Sequence, residues 1–256
     1  MVTAGQAQVA SVTVSTNLAM VDLWKAIVAG GRDFRKQPVF GLFFSGFFIA
    51  AGIYLYFALT ERGEMAWLIP AAAGFPLLAP FAAAGLYEVS RRIEDGLPMH
   101  WPSILLAVRG RGDDQLPFIG VIAFVIFSFW IILAHGIFGI FLGQAGLGSD
   151  PLATLMSQDG LLMLLVGSTV GGLVALAFFS LTVVSMPMLI DRDVDFVTAM
   201  IVSVRVVQLN KPVMLAWAAL VALCLFLAML PLFLGLFLVL PVLGHATWHL
   251  YRRAVH

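Results

Sequence analysis

Six apolar runs, with nearly all basic residues sorted to one side of them, leave this chain few ways to fold. The runs read Val39–Thr60, Ala66–Val89, Phe118–Leu142, Leu161–Leu189, Val213–Leu230 and Leu232–Leu250. Each has about the 20 residues needed to cross roughly 30 Å of hydrocarbon. Lipid offers no water to backbone N–H and C=O groups, so each run is predicted to be helical. Of the fourteen Lys and Arg residues, thirteen lie on one side of the runs and only Arg62 on the other. Short basic loops stay in the cytoplasm. The expectation is an all-α, multi-pass inner-membrane bundle with both termini cytoplasmic. Its six spans form three hairpins, joined on the outside by Glu61–Met65, by Gly143–Gly160 and by a tight turn at Pro231.

Composition agrees with that class. The chain is 61% hydrophobic and 11% charged, where soluble domains carry about 25% charged residues, and its mean hydropathy is +1.01. The zero net charge hides the division by side, so nothing points to nucleic acid. The single cysteine, Cys224, lies inside a run, which excludes a disulfide framework and a thiolate metal cluster. Residues 1–18 hold no Lys or Arg and lead into no apolar core, unlike a signal peptide. They read as a polar, poorly ordered tail before a single six-span domain, residues 19–256.

A threefold pattern runs through that domain, over about residues 19–92, 101–192 and 196–253. An amphipathic stretch ending in proline precedes each hairpin: Trp24–Arg32 to Pro38, Trp101–Arg109 to Pro117, and Phe196–Arg205 to Pro212. Such stretches are too short and polar to span, and read as three short interfacial helices on the cytoplasmic side. Proline suits the first turn of the helix that then enters the bilayer. The segment Pro80–Arg92 aligns without gaps on Pro241–Arg253, each ending in an Arg pair.

Chemistry is sparse. His245 and His249 stand four apart on one helical face, the spacing of a metal pair. No Asp or Glu accompanies them in their run, so they read first as histidines bonded to neighbouring helices and headgroups, and only weakly as a metal site. His135 lies near the opposite face, too far in depth to share a haem iron with His245. Glu88, Arg91, Arg92, Asp191, Arg192 and Arg205 gather at the inner ends of the runs. They read as a ring of salt bridges between hairpins, with an anionic-lipid contact as the alternative. No Asp, Glu, Lys or Arg lies at mid-depth, which argues against ion-coupled transport. Pro70, Gly74, Pro76 and Pro80 punctuate the second run, a pattern that frames substrate sites in some transporters. No phosphate loop, nucleophile elbow or zinc-protease helix occurs. Neither an enzyme nor a cofactor is expected.

The segments Gly31–Arg35, Gly85–Arg92, Asp191–Met200 and Leu240–Arg252 together resemble a domain-of-unknown-function family of predicted bacterial integral membrane proteins. Some members are labelled cytochrome c oxidase subunit I. An oxidase core needs about six histidines for its haems and copper, whereas this chain has three in its runs. The resemblance implies a bacterial inner-membrane location and no particular activity. The leading reading is a non-catalytic protein that packs on other membrane components, as an accessory or assembly partner of a membrane complex, respiratory complexes included. The alternative is a transporter or channel for a small apolar or lipid-like solute.

Overall fold

The computed structural model describes residues 12–63, 67–109, 116–143 and 151–256. The expected outer connections fall partly outside these, at residues 64–66 and 144–150, as does the tail over residues 1–11. Eleven α-helices follow one another among the described residues: α1 (Met20–Lys36), α2 (Pro38–Glu61), α3 (Leu68–Glu94), α4 (Trp101–Leu105), α5 (Leu116–Leu142), α6 (Pro151–Met156), α7 (Gln158–Thr182), α8 (Ser185–Asp191), α9 (Phe196–Leu209), α10 (Lys211–Met229) and α11 (Leu236–Ala254). The described residues contain no strand, only one isolated bridge.

Among the described residues, four helical stretches are long and apolar enough to cross a membrane: Pro38–Glu61, Leu116–Leu142, Gln158–Asp191 and Lys211–Met229. The expected count of six is thus met in part. The sixth run departs for a visible reason. α11 carries His245, His249, Arg252 and Arg253, which lower its hydropathy, and it buries most of its surface inside the bundle. The second run, punctuated by prolines, is one continuous helix past Pro70, Pro76 and Pro80. The fourth run divides instead, with two turn residues, Val183 and Val184, separating α7 from α8.

α11 is the axis of the molecule. Its most extensive contact is with α1, and it also packs on α2 and α3, while α5 pairs with α7. The α1–α11 contact is very close, because a Cβ at Gly30 would come within 2.6 Å of the Ala246 nitrogen and the Val242 oxygen. Glycine is therefore required there by backbone approach. α1 buries Leu23, Ala26, Gly30 and Asp33, spaced three and four apart, along this contact. Its opposite side exposes Val21, Trp24 and Val28, an apolar stripe suited to an acyl boundary. The predicted interfacial helix is thus also a packing partner of the last helix. Proline stands in the first turn of the helix after each such segment, at Pro38 in α2, Pro117 in α5 and Pro212 in α10.

The reading of residues 1–18 as a loose tail needs correction from Thr13 onward. Thr13 and His256 exchange backbone hydrogen bonds, the His256 N–H donating at 2.9 Å, and the Ser15 N–H donates to Ala254 at 2.9 Å. Asn210 holds the same segment, accepting from the Leu18 N–H at 3.1 Å and donating to the Ser15 carbonyl at 2.8 Å. These bonds satisfy the last carbonyls of α11, which would otherwise lack partners.

Candidate functional site

The close α1–α11 approach brings together four polar side chains that are far apart in sequence. Asp33 is 1% exposed, and Ser90 and His245 are fully buried. The Ser90 hydroxyl donates to Asp33 Oδ2 at 2.9 Å and lies 2.7 Å from His245 Nδ1. His249 Nε2 lies 2.7 Å from the same Asp33 oxygen. One hydroxyl carries one proton, so if Ser90 donates to Asp33 it accepts from His245, which places that ring's proton on Nδ1. His245 Nε2 then has no partner among the described residues. Burial raises the Asp33 carboxyl, but the His249 and Ser90 bonds outweigh it and hold Asp33 below its ordinary value of 3.8.

The order of this chain, His249–Asp33–Ser90–His245, differs from a nucleophilic triad, in which the histidine stands between serine and acid. Here the serine stands between an acid and a histidine, and its hydroxyl is engaged by both. The arrangement is suited to locking α1, α3 and α11 together. It engages one ring nitrogen of each histidine that spacing suggested as a metal ligand, Nδ1 of His245 and Nε2 of His249. Among the described residues no group of three or more His, Cys, Asp or Glu is placed to hold a metal.

The six charged residues singled out from the sequence are only partly brought together. Glu88 accepts from Arg91 at 2.8 Å and from Arg92 at 2.6 Å, but all three belong to α3, so this is an intrahelical cluster. Asp191 makes the connection between helices, reaching Arg252 at 3.1 Å and the Tyr251 hydroxyl at 2.7 Å, with Arg192 at 3.6 Å. Arg205 is exposed and joins no ion pair among the described residues. Sequence reasoning missed Asp22, which meets Arg253 at 3.6 Å, and Glu94, which accepts from Trp248 at 3.0 Å and Arg252 at 3.2 Å. The inter-helix network therefore centres on the C-terminal turns of α11.

Two clefts flank this centre. A polar one of ≈ 430 Å³ is lined by Arg32, Asp33, Lys36, Ser90, Ile93, Glu94 and His249. An apolar one of ≈ 370 Å³ lies between α3, α7, α10 and α11, with no Asp, Glu, Lys or Arg in its wall.

Residues 68–191 match the family model described as "Predicted integral membrane protein (DUF2189)". Together with the four apolar helices, the match makes the chain an integral membrane protein. The matched stretch covers Ser90 and the Glu88–Arg92 cluster, and stops short of the histidines of α11 and of Asp33 in α1. No curated protein and no solved structure matches the chain.

Proposed function

We propose that the chain is a non-catalytic, multi-pass protein of the bacterial inner membrane that holds an apolar, lipid-like molecule between α3, α7, α10 and α11. The apolar cleft carries this reading. Its ≈ 370 Å³ falls in the size range of small-molecule sites. α7 and α10 both line it without packing substantially on each other. Gly172 and Ala175 on one side and Ala219 and Ala222 on the other leave the gap between them. An uncharged wall in lipid favours a hydrocarbon occupant, which costs no hydrogen bond to bury.

The sequence alone ranks the accessory role first, and the cleft moves the lipid-like solute ahead of it. The accessory reading keeps one supporting observation. Only 11% of the apolar stretch of α2 is buried, and Phe43, Phe47, Tyr54 and Phe57 stand exposed along it at helical spacing. That face suits a neighbouring membrane subunit, those of respiratory complexes included. Under either reading α3 and α11 complete six crossings in three hairpins, with the basic ends and both termini in the cytoplasm.

Native mass spectrometry of protein released from nanodiscs tests the cleft. Wild type should retain one lipid-like molecule, and Ala222→Trp, which fills the gap, should lose it. Equal retention by both would contradict the reading.

A further inference from the structure

The polar cleft has an asymmetry that the fold itself does not use. Both of its acids are already engaged: Asp33 by Ser90 and His249, and Glu94 by Trp248 and Arg252. Its two permanent cations, Arg32 and Lys36, have no acid partner among the described residues. They stand four apart on α1, one turn above the other on one helical face. His249 and Ser90 complete the polar lining.

We propose that this cleft is an oxyanion site that takes a phosphate group, with Arg32 and Lys36 as its ligands. Arginine presents a planar fork of N–H donors that matches a phosphate edge, and lysine adds a point charge beside it. Asp33 Oδ2 and both Glu94 oxygens are already engaged by other partners. The site lies at the basic end of the bundle, where the headgroup of an anionic phospholipid and a soluble phosphate ester offer the same chemistry. It is independent of the apolar cleft, since the lining residues of the two do not overlap.

The test measures binding and thermal stabilisation of the purified full chain by two probes, phosphatidylglycerol in nanodiscs and glycerol 3-phosphate in detergent. Phosphatidylcholine is the reference lipid. Wild type should respond to at least one probe. Arg32→Gln with Lys36→Gln should weaken that response roughly tenfold or more. Arg35→Gln, an exposed neighbour on α1 outside the cleft, should leave it unchanged. All variants should unfold at the wild-type temperature without a probe, because the three side chains are exposed. A response to glycerol 3-phosphate identifies a soluble ester, and one to phosphatidylglycerol alone identifies a lipid headgroup. No response in wild type, an unchanged response in the double variant, or an equal loss in Arg35→Gln would each overturn the proposal.

Discussion

Asp33 shows how one residue can set the closure of a bundle. A buried carboxylate is expensive unless it is bonded, and here it receives two hydrogen bonds from different helices. Its carboxyl is held below 3.8, so its contribution to stability is fully present above that value. The contribution is lost as pH falls through the depressed folded-state value. Asp33→Asn should therefore lower stability by about 2 kcal/mol at neutral pH. The gap between variant and wild type should narrow in strong acid, as followed by thermal unfolding in detergent across pH. A gap that widens in acid would contradict this assignment. The residue was hard to find from sequence, since its partners lie 57 and 216 positions away. One signal was available: Leu23, Ala26, Gly30 and Asp33 fall three and four apart, which puts an acid on the packing stripe of α1. The histidine pair was legible as a shared helical face, but periodicity within one helix cannot say what that face meets.

At the scale of elements, legibility followed the solvent. Lipid enforces helices on apolar runs, so α2 at Pro38–Glu61 and α10 at Lys211–Met229 match the expected spans to within two residues. The ends of α11 and the division between α7 and α8 were less legible, because contacts inside the bundle decide them. The charged residues at the inner ends divide for the same reason. Glu88 and its arginines pair along one helix, a local pattern, while Asp191 reaches across to Arg252. The adjacent glycines of α1 test the α1–α11 contact. A Cβ at Gly30 meets α11 backbone at 2.6 Å, whereas one at Gly31 meets nothing within 4 Å. Gly30→Ala should destabilise the protein by about 1–3 kcal/mol through overpacking. Gly31→Ala should stabilise it by about 0.5–1 kcal/mol through helix propensity. Equal effects in thermal unfolding would remove the close approach from the account.

At the scale of the whole molecule, charge sidedness and the apolar cleft make separate demands. Thirteen basic residues against one predict the sidedness. Alkaline phosphatase fused after His256 should be inactive, and fused within Gly143–Gly160 it should be active. The reverse pattern would invert the topology. The cleft was not legible in the sequence, since its existence depends on α7 and α10 standing apart. The most direct measurement is photolabelling of the protein in native-composition vesicles with a phospholipid carrying a diazirine on its acyl chain. Labels should concentrate on Gly172, Ala175, Ala219 and Ala222, well above those on Phe124 and Ile132, which are exposed on α5. Labels spread evenly over all apolar helices would contradict a lipid-like molecule held in the cleft.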